Sequence, residues 1–216
     1  MSNRELCLAT ALRLFNEQGS HAVSTNLIAE QAQVSVGNLY YHFRSKEDLV
    51  RALFEQLNDA WKTRLTVPNP MRVTWDDLRS LIAEHFAIVW QFRFFYREQV
   101  ALRQNDRVLT RRWNEANSRG RADMGMLLLS YCATIGRPTL PEHDVARLTD
   151  TCWLIADFWL VHHEMRTGPV RRQDLEQGVE LFASIMRPLI AATVPAHPPT
   201  GTPCTDDAAV PQSPSA

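Results

Sequence analysis

Residues 25–49 read TNLIAEQAQVSVGNLYYHFRSKEDL and carry polar and aromatic side chains at a spacing that suits contact with base pairs. Leu39 and Phe43 lie four apart and would share the buried face of one short helix. The positions between them are then left to face outward. A carboxamide can make two hydrogen bonds to adenine, and a valine can touch a thymine methyl. We therefore predict a base-reading face formed by Val36, Gly37, Asn38, Tyr41 and His42.

A second set of residues is predicted to hold the sugar-phosphate backbone. Lys46 supplies positive charge, and the start of a helix near Thr25 supplies free amide groups. Gly37 has no side chain and would let the backbone approach the nucleic acid closely. Such contacts position a protein but do not read sequence. The predicted phosphate-contacting residues are Thr25, Asn26, Ser35, Tyr40, Arg44 and Lys46.

Each of these residues also has a structural interpretation when it is taken alone. Tyr40 and Tyr41 could pack in a core, as aromatic residues at helical spacing usually do. His42 could be a structural or capping histidine, and Arg44 and Lys46 could be solvated surface charges. The functional interpretation therefore depends on the whole set of residues.

Helix caps divide this region into short helices. Gly19 can end a first helix, and Ser24 or Thr25 can cap a second. Ser35 can cap a third that runs to about residue 42, and Ser45 can cap a long fourth. Two short helices that cross at a fixed angle present the second one to a major groove. The pattern predicts a helix-turn-helix.

The rest of the chain also repeats apolar residues three and four apart, and no segment sustains the alternation typical of strands. An all-α fold of about nine helices is therefore predicted. We expect a helix-turn-helix domain over residues 1–49, a helical second domain over residues 50–193, and a disordered tail over residues 194–216. The tail is rich in proline, serine, threonine and alanine, which disfavours a packed core.

Composition limits the other possibilities. The chain has 216 residues, 23 Lys+Arg and 24 Asp+Glu, so any nucleic-acid contact must come from a local patch rather than from net charge. The four cysteines lack the spacing of a zinc site, and no apolar run is long enough for a membrane span. The N-terminal residues do not resemble a signal peptide. We expect a cytoplasmic protein without metal, cofactor or membrane partner.

An enzyme would need a nucleophile, an acid–base pair, a metal constellation or a phosphate loop. None of these is found at a mechanistic spacing; His162, His163 and Glu164, for example, do not form the H-E-x-x-H pattern. The sequence therefore predicts a protein that is not an enzyme.

The region from about Leu8 to Leu49 resembles the N-terminal domain of the tetracycline repressor (TetR) family. The family pattern is T-x-x-x-I-A-x-x-A-x-V-S-x-G-x-L-Y-Y-H-F-x-x-K-x-x-L, and here Thr25 lies one place nearer the helix than usual. Gln33 departs from the pattern, because the family usually has glycine in this turn. The matching residues are Thr25, Ile28, Ala29, Ala32, Val34, Ser35, Gly37, Leu39, Tyr40, Tyr41, His42, Phe43, Lys46 and Leu49.

The second half, over about residues 75–190, is similar to the C-terminal domain of a TetR subgroup described as bacterial transcriptional repressors. The similarity lies in the stretch WQFRFFYRE at residues 90–98 and in the tryptophans further along the chain. In the family this domain binds a small molecule, which implies an apolar or amphipathic effector here. Packed core is the alternative for each residue taken singly. The predicted pocket residues are Trp90, Phe94, Tyr96, Trp113, Met124, Trp153, Phe158 and His162.

Two apolar seams with alternating three-four spacing lie on the last two predicted helices. They are typical of helices that pack in a bundle, and we expect them to form a four-helix interface between two copies of the chain. A buried pair within one chain is the alternative. The predicted interface residues are Val145, Leu148, Cys152, Ile155, Trp159, Leu175, Val179, Phe182 and Met186.

These patterns together predict a homodimeric, sequence-specific DNA-binding transcriptional regulator. The resemblance implies a repressor that a small-molecule effector releases from a palindromic double-stranded operator. The alternative is a ligand-independent helix-turn-helix factor with an architectural or protein-binding role.

Overall fold

The structure is a computed structural model that describes residues 2–191. Those residues form nine α-helices and a short 3-10 turn at Arg172–Asp174, with no β-strand among them, so the predicted all-α fold is confirmed. The predicted tail over residues 194–216 lies outside the described residues. The helices are α1 (Asn3–Gln18), α2 (Thr25–Gln31), α3 (Val36–His42), α4 (Lys46–Arg64), α5 (Trp75–Gln91), α6 (Arg93–Asn105), α7 (Arg107–Thr134), α8 (Glu142–Thr167) and α9 (Leu175–Ala191).

Serine caps set the starts of the short helices. The hydroxyls of Ser24, Ser35 and Ser45 each accept a hydrogen bond from a backbone N–H three residues later, at the first turns of α2, α3 and α4. Such a cap satisfies one of the free amides at a helix start and is worth about 1 kcal/mol. Gly19 ends α1 at a φ of 82°. The predicted caps are confirmed.

Helices α1 to α3 pack around a small apolar core. Phe15, Ile28, Leu39 and Leu49 are fully buried there and come from α1, α2, α3 and α4 respectively. Because Leu39 and Phe43 point inward, the opposite side of α3 is the side that remains available.

The turn between α2 and α3 contains the residue that departs from the family pattern. Gln33 has a φ of 56°, and it is the only non-glycine residue with positive φ among those described. Its N–H donates to the Glu30 carbonyl, and the N–H of Val34 donates to the Ala29 carbonyl, both at 3.0 Å. This is the hydrogen-bond pattern of a helix end in which glycine is the usual residue. It determines the angle at which α3 leaves α2.

Helix α4 runs without a break across the predicted domain boundary at residue 49. On its body side, the Phe54 ring stacks on Trp113 of α7 with centroids 5.1 Å apart, and meets Phe95 of α6 edge-on at 6.0 Å. These rings are almost completely buried. Helix α4 is therefore shared by the reading head, which we define as α1–α3, and the body, which we define as α5–α9.

A second connection joins the end of α1 to α6. The Asn16 amide Nδ2 donates to the Gln91 carbonyl at 2.8 Å, and its Oδ1 accepts from the Phe94 N–H at 3.0 Å. Further along, the Ser20 N–H and hydroxyl both donate to the Glu98 carboxylate, the former at 2.8 Å. The reading head is therefore held on the body by buried and half-buried hydrogen bonds.

In the body, α9 packs across α5 and α8, and this packing buries part of the predicted interface. Six of the nine predicted side chains lie inside their own subunit, because the seams face each other and α5 within one chain. They are therefore not available to a second copy in this conformation, whereas Val145, Ile155 and Leu175 are half-buried. The six buried residues are Leu148, Cys152, Trp159, Val179, Phe182 and Met186.

The outward faces of α8 and α9 carry other apolar side chains. Leu154 is 61% exposed, and Phe158 and Leu181 are each 43% exposed. Leu154 and Phe158 lie one turn apart on α8 and share a face. Within residues 2–191, no helix has both the length and the apolar content that crossing a membrane requires.

Candidate DNA-reading surface and ligand cavity

The outward side of α3 presents the predicted base-reading residues to solvent. Tyr41 is 83% exposed and Val36 is 42% exposed, whereas Leu39 on the opposite side has no exposed surface. Tyr40 is 45% exposed, so neither tyrosine packs in the core. Helix α3 therefore offers a continuous surface that could enter a major groove.

Gly37 has no packing reason to lack a side chain. A Cβ atom built at this position would meet nothing within 4 Å, and its φ is not in the positive region. An alanine would fit the free protein and would favour the helix. The open space over Gly37 therefore suits a molecule that approaches closely from outside.

Asn38 and His42 are half-buried at the two ends of this surface. The Asn38 backbone N–H donates to the capping Ser35 hydroxyl at 3.1 Å, while its Oδ1 atom is buried without a partner among the described residues. The His42 ring packs edge-on against Tyr41, with centroids 5.1 Å apart. To read adenine with both amide atoms, the Asn38 side chain would have to turn outward.

The predicted phosphate-contacting residues flank α3. The Thr25 hydroxyl lies 3.0 Å from the Tyr40 hydroxyl, which joins the start of α2 to α3 at the surface. Asn26 and Arg44 are exposed. These positions, together with the free amides at the start of α2, form the rim of the reading surface.

Lys46 has a structural role that the sequence did not indicate. Its Nζ donates to the carbonyls of Ser20 and Val23, at 2.8 and 3.2 Å. It thereby ties the loop after α1 to the start of α4. Its predicted phosphate contact stays a prediction, and removal of Lys46 would also loosen this loop.

A cavity of about 210 Å³ lies in the body. Its walls come from α4, α5, α7, α8 and α9. From α4 it takes Asn58, Trp61 and Lys62, and from α5 it takes Ile82 and His85. The remaining wall includes Gly120, Met124, Leu128, Trp153, Asp157, Phe182 and Met186.

Only Met124 and Trp153 of the predicted pocket residues line this cavity. Phe94 and Trp113 are instead fully buried packing residues, in ring contact with α1 and α4 respectively, and the fully buried Tyr96 ring meets His85 of α5 edge-on. Aromatic residues were assigned to the pocket by type, but which side of a helix faces the cavity depends on packing with distant helices. The three others lie elsewhere: Trp90 is half-buried under Arg93, and Phe158 and His162 are exposed on α8.

Two titratable residues of the cavity, Asp157 and His85, are not among the predicted pocket residues. Burial raises the pKa of Asp157 to about 7, although Arg103 and Arg121 act in the opposite direction. Burial also lowers the pKa of His85 to about 4, so that its ring is neutral at pH 7. Asp157 is the single acid in the apolar stretch WLIADFWLV at residues 153–161, and that isolation was a usable signal.

Within residues 2–191, no group of three or more histidine, cysteine or acidic side chains is arranged to hold a metal ion. Ligand binding in the cavity is therefore considered in terms of its apolar walls and its few polar atoms.

Two family models match the chain. The model described as "Bacterial regulatory proteins, tetR family" matches residues 8–53, and the model described as "Bacterial transcriptional repressor" matches residues 56–197. They adjoin within α4, the helix shared by the reading head and the body.

The curated relatives support the same assignment over part of their length. The chain is 40% identical over 82 residues to the HTH-type transcriptional regulator RutR of Escherichia coli K12, covering 38% of this chain and 36% of RutR. It is 28% identical over 107 residues to the fatty acid metabolism regulator protein of Bacillus subtilis 168, covering 49% of this chain and 55% of that protein. The chain thus spans about half, or less, of the curated relatives it matches.

A solved structure extends the similarity to most of the chain. A TetR-family transcriptional regulator from Marinobacter aquaeolei VT8 is 27% identical with a TM-score of 0.79, over 88% of this chain and 91% of that one. The resemblance predicted from the helix-turn-helix motif is thereby confirmed. With one family model on each side of α4 and a solved relative of the same fold, the chain belongs to the TetR family of bacterial regulatory proteins.

Proposed function

We propose that this protein is a homodimeric transcriptional repressor that binds a palindromic operator and is released when a small molecule enters the cavity. The observation that carries the proposal is the exposed side of α3, where Val36, Tyr40 and Tyr41 face solvent above a fully buried Leu39. An exposed aromatic surface on a well-anchored short helix has no packing purpose in the free protein. It suits a helix that binds in a major groove. Such a protein would act in the cytoplasm, together with the chromosome.

Helix α4 would couple the cavity to the DNA. Its first residue, Lys46, is bonded to the loop that ends α1, and its last turns supply Asn58, Trp61 and Lys62 to the cavity wall. A ligand that binds better when α4 is displaced would favour that displaced state, typically by about 1 to 3 kcal/mol. The displacement would move both reading heads away from the spacing of successive major grooves. The cavity thus favours an effector-controlled repressor over a ligand-independent factor.

The exposed apolar face of α8 and α9 is the proposed surface for the second copy. Leu154, Phe158 and Leu181 would be covered there, whereas the predicted seam is already buried within one chain. The net charge of the chain is -1, so it has no general electrostatic attraction to DNA. In a dimer, two reading heads held at a fixed distance would bind two half-sites at once and so supply the affinity that net charge does not.

The dimer surface is tested by Phe158→Glu. A buried unpaired carboxylate at the interface should shift the protein to a monomer in light scattering and weaken operator binding by at least about a hundredfold. Met71→Glu is the control, because Met71 is 87% exposed in the segment between α4 and α5 and lies outside α8 and α9. A Phe158→Glu protein that stays dimeric would exclude this face.

The regulator proposal itself is tested by gel shifts with DNA that flanks the gene for this protein. We expect a palindromic site to be bound at least about a thousandfold more tightly than random duplex at the same salt concentration. Equal affinity for all duplexes would refute sequence-specific regulation.

A further inference from the structure

One acid in the cavity wall lacks a counter-ion. Asp157 comes from the apolar stretch of α8, and its carboxylate forms no ion pair or hydrogen bond with the residues that the structure describes. Arg103 and Arg121 act on this carboxylate through their charge without pairing with it: Arg103 Nη2 donates to the Asn114 carboxamide at 2.8 Å, and Arg121 pairs with Asp150. A carboxyl group in apolar surroundings is costly to ionise unless a cation joins it.

Other polar atoms of the wall are also unpaired. His85 Nε2 and Trp153 Nε1 are both buried, without a hydrogen-bond partner among residues 2–191. The neutral His85 ring can accept a hydrogen bond, and the Trp153 N–H can donate one. Trp61 and Trp153 also line the cavity, and tryptophan is the side chain whose ring attracts cations most strongly. Buried polar atoms in native proteins are mostly paired, so these two are available to a ligand that enters the cavity.

Three of the four charged side chains in the wall are exposed, and only Asp157 is half-buried. Lys62 Nζ lies 3.7 Å from the Asp59 carboxylate, and Arg119 donates to the Asn58 carboxamide at 3.3 Å. Asp123 is exposed at the mouth and forms no ion pair among the described residues. Lys62, Arg119 and Asp123 thus meet solvent, and the charged group that the interior of the cavity offers is the carboxylate of Asp157.

We propose that the cavity takes a small organic cation, a protonated amine on an apolar body, with Asp157 as its counter-ion. This inference rests on the proposed function, because it names the ligand class of the same cavity. A volume of about 210 Å³ equals the space of about seven liquid waters. The ligand is then on the order of ten non-hydrogen atoms, below the size of most drug-like molecules. A carboxylate ligand would bring two negative charges together and is disfavoured.

The test compares three ligands with one carbon skeleton and different charge: phenylpropylamine, phenylpropanol and phenylpropanoate. Isothermal titration of the full chain at about pH 8, where Asp157 is ionised, should show the amine binding at least about tenfold more tightly than the alcohol. The propanoate should bind more weakly than the alcohol. Asp157→Asn, which keeps the side-chain shape, should abolish the preference for the amine.

Two control variants locate the effect. Glu115→Gln removes an exposed charge of α7 outside the cavity wall and should leave the preference for the amine within about twofold of wild type. Trp153→Phe keeps an aromatic wall and should leave the amine as the preferred ligand, although with weaker binding. Circular dichroism of each variant checks that the helices are intact.

Three results would overturn the inference: equal binding of the three ligands, preference for the propanoate, or no binding of any of them. A preference for the amine that survives Asp157→Asn would overturn the role of Asp157. None of these results would alter the operator gel shift, which tests the proposed function separately.

Discussion

A substitution at Gly37 should change operator affinity without lowering the stability of the fold. Its surroundings are empty in the free protein, so Gly37→Ala should leave stability unchanged or raise it by up to about 1 kcal/mol. On the DNA the added methyl group would stand between helix and groove. We expect operator affinity to fall at least about tenfold, measured by fluorescence anisotropy.

Gly125→Ala is the matched control for this substitution. Gly125 is also helical, and a Cβ there would lie at an ordinary contact distance of 3.5 Å from Val145, far from α3 in the chain. It should give a similar change in urea unfolding with no loss of operator affinity. Unchanged affinity in Gly37→Ala would remove Gly37 from the reading face.

Asp157 should make stability depend on pH. Its pKa is raised in the folded state to about 7, so the folded protein holds the proton more tightly than the unfolded chain does. The contribution of this group to the free energy of unfolding is therefore highest at low pH and falls as the pH rises from about 4 to about 7. Asp157→Asn should stabilise the protein at about pH 8, on the order of 2 kcal/mol, and much less at about pH 4.

His85 gives the free energy of unfolding a pH dependence of the opposite sign, over a pH range that overlaps that of Asp157. Its folded-state pKa is lowered to about 4, so its contribution is present above the unfolded value near 6.5 and is lost as the pH falls through about 4. Both wild type and Asp157→Asn contain His85, so its contribution cancels when their free energies of unfolding are subtracted. Thermal unfolding across the pH range gives the comparison, and a difference that does not change with pH would contradict the assignment.

At the scale of elements, the turn between α2 and α3 contains local strain. Gln33 adopts a left-handed conformation that costs a residue with a side chain about 1 kcal/mol relative to glycine. The neighbouring hydrogen bonds and the Val34 contact to the core retain the turn in spite of this cost.

Gln33→Gly should therefore raise the free energy of unfolding by up to about 1 kcal/mol in urea denaturation. Gln31→Gly is the control, because Gln31 is helical and exposed, and the same substitution there should destabilise the protein by a similar amount. A destabilised Gln33→Gly protein would show that the side chain contributes more than the backbone strain costs.

At the scale of the whole molecule, Asn16 should control how firmly the reading head sits on the body. Asn16→Ala would leave the Phe94 N–H and the Gln91 carbonyl without their partner, at a cost of about 1 to 3 kcal/mol. We expect faster amide hydrogen exchange at Phe94 and weaker operator binding.

Glu17→Ala is the neighbouring control. This substitution removes a surface ion pair with Arg13. Both side chains are about half exposed, and such a pair contributes little to stability. If Asn16→Ala behaves like Glu17→Ala, the hydrogen bonds of the Asn16 side chain do not hold the reading head on the body.

The reading head was predictable because its signals are local. Ser24, Ser35 and Ser45 cap helices within a few residues of themselves, and the spacing of Leu39 and Phe43 determines which side of α3 is buried. The fold class follows from the same periodicity. The base and phosphate contacts assigned to α3 and its rim stay predictions until they are tested with DNA.

In the body, apolar spacing identifies a helix and one buried stripe but does not identify its partner. The spacing on the last two helices predicts two seams that meet a second copy, yet six of their nine residues are buried within the chain, because long-range contacts decide which surfaces meet. The aromatic residues near Phe94 filled the core instead of lining a cavity for the same reason. Local sequence was sufficient for the helix-turn-helix; only the tertiary packing of five helices from distant parts of the chain could form the cavity and place an unpaired Asp157 in its wall.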